Sequence, residues 1–248
     1  MWFDAPSPDR AAGGGHLAVK IMFEEAKAVL AKGFESSLSG QQRVASANVE
    51  RLRRVHPDKT PGEMIKFLDR EYLLAVSVSG LGAGAAAAAG PRVGVAVSLA
   101  DVLAFTEASV LYVLSVAEVH DLHPEDIERR RLLVMSVMLG DAAAGSVNKA
   151  VGRIGPHWAK QIVKSTPMSA INRINAVLGP RFVTKYGAKQ GVLVLGKQLP
   201  RGIGAAIGGT GNHLIGRGIV SSARKAFGEA RAEWADGSQD SAGPSQLP

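Results

Sequence analysis

The densest run of side chains with metal-ligating or acid–base chemistry is His120-Asp121-Leu122-His123, followed by Pro124, Glu125 and Asp126. Two imidazoles three residues apart beside carboxylates carry the donor types of a divalent-cation site or of a hydrolytic centre. Spacing supplies no third ligand, and no HExxH pattern accompanies them. His120, Asp121 and His123 are therefore secondary metal candidates, and the preferred role is helix capping at an entry before Pro124, with surface charge around it. A GxSxG elbow and a cysteine nucleophile are both absent, which leaves covalent triad chemistry without support.

A second chemical candidate is QLPRGIGAAIGGTGNHLIGRG, residues 198–218, with seven glycines in 21 residues. Gly202, Gly204 and Gly208 approximate a dinucleotide fingerprint, and Glu229 stands where a ribose carboxylate is expected. The topology argues against it. SSARKAFGEARAEW follows as a helical pattern, so no second strand carries that carboxylate, and Lys197 precedes the glycines where a phosphate loop needs a lysine after them. Gly204, Gly208, Asn212 and Gly216 are spaced by four, which makes one stripe of small residues on a helix. The expectation is a packing face, set against Gly80 and Gly84 of an earlier apolar helix, with no cofactor.

Charge is unevenly placed. The net charge is +7, yet 13 of the 29 Lys and Arg residues fall between Ala142 and Gly228, a stretch with no Asp or Glu. The remaining 16 cations face 22 acids elsewhere. Lys149/Arg153, Lys160/Lys164, Arg181/Lys185/Lys189 and Lys197/Arg201 recur at four-residue steps, which aligns each set on one helix face. Such faces are either solvated or directed at a polyanion; the absence of acids favours an anionic lipid surface or nucleic acid.

The elements that position these groups read as helices. His16 to Phe34 and Gln41 to Val55 are periodic, HPDKTP breaks the chain, and Thr60-Pro61-Gly62-Glu63 has the signature of a capping box. LLAVSVSGLGAGAAAAAGP, residues 73–91, is uncharged and 19 residues long, but its Gly/Ala/Ser content suits a buried helix better than a membrane span. Gly90-Pro91 turns the chain into a second apolar helix, interrupted by Asp101 and Glu107, which are expected to meet solvent or a basic partner. A helix follows from Pro124, and shorter ones are expected at His157 to Lys164, at Pro167 to Leu178 behind a Thr166 cap, and around Val183 to Gly196. This is an all-α helical bundle whose Gly/Ala-rich hairpin packs on a C-terminal Gly-rich helix. Residues 16–235 form one domain between tails at 1–15 and 236–248.

With 248 residues and 46% hydrophobic content the chain buries a core. The absence of cysteine excludes a disulfide scaffold and zinc–thiolate chemistry. MWFDAPSPDR lacks a basic segment followed by an apolar run, so a cytoplasmic, inner-face location is expected.

The order of these segments, the apolar hairpin, then HDLHPEDIERRRLLVMSVMLGDAA, then LPRGIGAAIGGTGNHLIGRGIVSSARKAF, resembles the EcsC protein family over about Glu63 to Trp234. His120-Asp121, Arg129 to Arg131, Pro200, Gly204, Gly208 and Asn212 carry the likeness. The resemblance implies a largely helical bacterial protein, in some cases encoded beside an ABC transporter, with no established catalytic residues. The acid-free basic region departs from the family's pattern. Together these readings favour a non-enzymatic, peripheral protein that binds anionic membrane through Lys149, Arg153, Lys160, Lys164, Arg181, Lys185, Lys189, Lys197 and Arg201, with a transporter or other protein as a further partner. The alternatives are nucleic-acid binding through the same charges, or hydrolysis at His120, Asp121 and His123.

Overall fold

The computed structural model describes residues 8–86, 91–143, 145, 147, 157–197 and 203–234; Lys149, Arg153, Arg201 and the segment 236–248 lie outside them. The described residues are helical, with no strand among them. In chain order the helices are α1 (Pro8–Val55), α2 (Pro61–Ala86), α3 (Pro91–Val119), α4 (Ile127–Leu139), α5 (Ala159–Lys164), α6 (Met168–Lys197) and α7 (Ile203–Phe227).

Helix α1 is continuous where the sequence predicts two helices, and it begins inside the segment read as a tail. Ser39, between the two expected pieces, does not compete with the helix, because its Oγ donates back to the Glu35 carbonyl (3.3 Å). Ser37 and Leu38 are buried there, so packing overrides the weak propensity of the Ser/Gly stretch. Gly33 permits the close passage of α3, since a Cβ at that position would meet the Leu103 side chain.

The start of α2 is built by the expected reciprocal cap. Thr60 N donates to Glu63 Oε2 (2.9 Å), and Glu63 N donates to Thr60 Oγ1 (3.3 Å). Helix α3 runs antiparallel to α2, with Tyr72 and Tyr112 stacked at 4.5 Å between ring centroids. Ala100–Val119 is the one described segment long and apolar enough to cross a membrane, and 67% of it is buried inside the protein, as befits a core helix. Phe105, Val113 and Leu114 on it join Leu30 and Leu38 of α1, Leu132 and Met135 of α4, and Phe182 of α6 in one core. Phe34 and Phe182 meet at 4.6 Å and tie α1 to α6.

Helix α4 starts at Ile127, later than the expected entry at Pro124. The intervening loop is held by Arg130, which donates to the carbonyls of Pro124 (2.9 Å), Glu125 (2.7 Å) and Leu38 (2.6 Å). Its neighbours staple other elements: Arg129 donates to the Ile162 carbonyl (2.9 Å), and Arg131 bridges Glu128 to Glu35 of α1. The triple arginine is thus a scaffold device in which each guanidinium fans to a different partner.

A second correction concerns α6, expected as two helices and found as one across Pro180. Proline lacks an N–H and crowds the preceding turn. The helix persists because Phe182 just beyond it is anchored in the core. Thr166 Oγ1 donates back to the Gln161 carbonyl (3.0 Å), closing the end of α5 in place of the anticipated cap on α6.

Candidate anion-binding site

Lys66, Arg70, Leu74 and Val78 are four residues apart on α2 and share one face of that helix. Helix α7 lies antiparallel beside it, as three cross-links show: Asp69 with Arg224, Val76 with Gly216, and Ser77 with His213. Gly216 sets the spacing. A Cβ built there would sit 3.1 Å from Leu73 Cδ2 and 3.1 Å from Val76 Cγ2, tighter than side-chain carbons ordinarily pack.

Along the N-terminal half of α2 and the C-terminal half of α7 lies a cleft of about 810 Å³ lined by Lys66, Asp69, Arg70, Arg217, Arg224 and Lys225 among others. Its carboxylate is already engaged. Asp69, buried, accepts from Tyr112 Oη at 2.6 Å through one oxygen and from Arg224 at 2.6 Å through the other. Burial, with the neighbouring Asp69 charge, pushes the Tyr112 phenol far above its ordinary range, so Tyr112 is held as a donor. Burial likewise raises Tyr72, whose hydroxyl lies 2.8 Å from Ser109 Oγ. The hydrogen bond to Asp69 pushes the Arg224 guanidinium up, which fixes its charge at the cleft wall. Lys66, Arg70 and Arg217 are exposed and form no salt bridge with a described residue.

Further along the same helix pair the surface turns apolar. Leu74 (60%), Val78 (56%) and Leu81 (46%) of α2 and Leu214 (62%) of α7 are solvent-exposed. Beneath them lies a polar contact the sequence does not pair: Asn212 Nδ2 donates to both oxygens of Asp101 (3.3 and 3.1 Å), and Ser79 Oγ donates to Asp101 as well. Asp101 is buried, against the expectation that it meets solvent; Glu107 is exposed. A buried carboxylate needs such partners, and the approach of α2 and α7 brings Ser79 and Asn212 to it.

The remaining site residues divide by location. Gly80, Asn212 and Gly216 are buried along α2 and α7. Gly84, Gly204 and Gly208 are helical, with surroundings outside the described residues, as are the side chains of Lys185, Lys189 and Lys197 in α6. Lys160, Lys164 and Arg181 are exposed on α5 and α6, as is Arg173. The cations that line the cleft therefore include Lys66 and Arg70, which lie outside the acid-free stretch because acids flank them in sequence.

His120 and Asp121 end α3, whereas the sequence reads them as an entry to the next helix. Asp121 is left-handed (φ 57°), its N–H donates to the Glu118 carbonyl (3.0 Å) and that of Leu122 to the Ala117 carbonyl (2.9 Å), which is a Schellman C-cap. The turn sends the two rings apart. His120 stacks on Phe227 at 5.3 Å, while His123 Nε2 lies 3.0 Å from Glu118 Oε1. Among the described residues no three His, Asp or Glu side chains are placed to hold a metal ion.

Compared with protein-family models, curated proteins and solved structures, the chain has no match.

Proposed function

We propose that this is a non-enzymatic, EcsC-like helical protein that docks peripherally on anionic lipid surfaces through the α2–α7 face. The observation that carries the reading is succession along one helix pair: Lys66 and Arg70 of the cationic cleft share a face of α2 with exposed Leu74 and Val78, and Leu81 of α2 and Leu214 of α7 are exposed as well. Cations near an anionic leaflet contribute about 1 kcal/mol each. Apolar side chains that enter the headgroup boundary add about 25 cal/mol per Å² removed from water. Neither patch needs to act alone. The exposed Lys160, Lys164, Arg173 and Arg181 on α5 and α6 add to the field that draws the protein to such a surface.

Co-sedimentation with vesicles, neutral or containing anionic lipid, tests this beside a duplex-DNA binding control. Retention on anionic vesicles that weakens with salt is expected. Binding to DNA without vesicle binding would transfer the charges to the nucleic-acid reading.

A further inference from the structure

We propose that the α2–α7 cleft is a recognition site for a phosphate group carrying two negative charges, presented either by a phosphomonoester lipid headgroup or by a free organic phosphate. The inference rests on the reading of the α2–α7 face as the docking face and names what that face selects.

Three observations carry it. First, the cations converge from two sides: Lys66 and Arg70 come from α2, and Arg217, Arg224 and Lys225 come from α7, around a concavity of about 810 Å³. A flat basic surface attracts any anionic lipid; a concave one surrounds a single group and rewards charge concentrated at one phosphorus. Second, acids match only part of this charge: Glu63, one turn from Lys66, is committed to its cap on Thr60. Asp69 has both oxygens committed, one to Tyr112 and one to Arg224, and Asp141 reaches only Lys225, at 3.4 Å. Lys66, Arg70 and Arg217 remain without a salt-bridge partner among the described residues. Third, Arg224 is oriented in advance. Asp69 occupies one of its N–H groups, and the others remain to donate from a fixed wall.

A phosphomonoester offers three unsubstituted oxygens and a second charge, while a phosphodiester offers two oxygens and one charge. Arginine forks match the former by paired, charge-assisted hydrogen bonds, each set worth roughly a tenfold preference.

The full-length protein is measured against vesicles containing phosphatidate and against vesicles with phosphatidylglycerol raised to equal surface charge, and by calorimetry with glycerol 3-phosphate in solution. About tenfold tighter binding to phosphatidate is expected, with glycerol 3-phosphate competing for it. In a folded Arg70→Gln/Arg217→Gln variant the preference falls to about unity and the soluble phosphate no longer binds. Arg70→Lys/Arg217→Lys keeps the charge and is expected to lose most of the preference as well. Equal binding of both charge-matched vesicles by the wild type overturns the phosphate site and leaves membrane docking standing. Glycerol 3-phosphate binding without vesicle binding does the reverse: it overturns docking and makes the cleft a site for a soluble organic phosphate. A preference that survives in the Gln variant overturns the assignment to this cleft.

Discussion

Arg224 on α7 lies 2.6 Å from Asp69 on α2, and the same carboxylate accepts from Tyr112 on α3, so one buried acid joins three helices. This arrangement satisfies a carboxylate that would otherwise be costly to bury, and it leaves the guanidinium facing the cleft. The site's charge is thus anchored in the core of the fold.

Tyr112→Phe removes one donor and little volume. The change is expected to destabilise the protein by about 1–2 kcal/mol, because Asp69 loses a buried partner. Urea denaturation monitored by circular dichroism reads this directly, and a midpoint equal to that of the wild type would show that the contact carries no stability.

Gly216 and Gly218 are close in sequence and opposite in surroundings. Gly216→Leu should force α2 and α7 apart and cost about 1–3 kcal/mol or more, since Leu73 and Val76 already crowd the position. Gly218→Ala meets nothing within 4 Å and should stabilise by up to about 1 kcal/mol through helix propensity. Thermal unfolding of the two variants checks the contrast, which fails if both shift the midpoint in the same direction.

His120 is held below its ordinary value of 6.5, first by burial and then by the charges of His157 and Arg231. The neutral ring therefore favours the folded state. Its contribution is fully present above pH 6.5 and is lost as the pH falls through the lowered folded value, because the unfolded chain takes up the proton first. Melting curves between about pH 5 and pH 7.5 should show stability declining on the acid side in the wild type and less so in His120→Phe, which keeps the stack on Phe227. Parallel profiles for the two proteins would remove His120 from the account.

Leu74→Asp and Leu214→Asp place charges on exposed positions, so their effect on unfolding should stay within about 0.5 kcal/mol. Their effect on docking should be larger, a loss of vesicle retention of at least about tenfold for the pair, because an inserted carboxylate is both desolvated and repelled. Undiminished co-sedimentation of the double variant would take the apolar patch out of the membrane contact.

Local signals in the sequence determined the local structure. The Thr60–Glu63 cap, the helical class and the hairpin around the uncharged stretch 73–91 rest on interactions within a few residues, and each is legible without a partner element. Continuity of helices was decided elsewhere. Ser36 to Gly40 and Gly179-Pro180 weaken a helix in isolation, but buried Leu38 and the Phe34–Phe182 contact hold α1 and α6 through those points. Likewise His120-Asp121-x-His123 has ligand-like spacing, and only the left-handed turn at Asp121 sends the rings to Phe227 and Glu118. The candidate site is tertiary in the strict sense. Lys66 and Arg70 stand about 150 positions before Arg217 and Arg224 and sit among acids in sequence, while Asp101 meets Asn212 across 111 positions. Charge density along a chain measures neighbours in sequence. The field at a cleft depends on neighbours in space, and these were set when α7, with no side chain at Gly216, came to rest against α2.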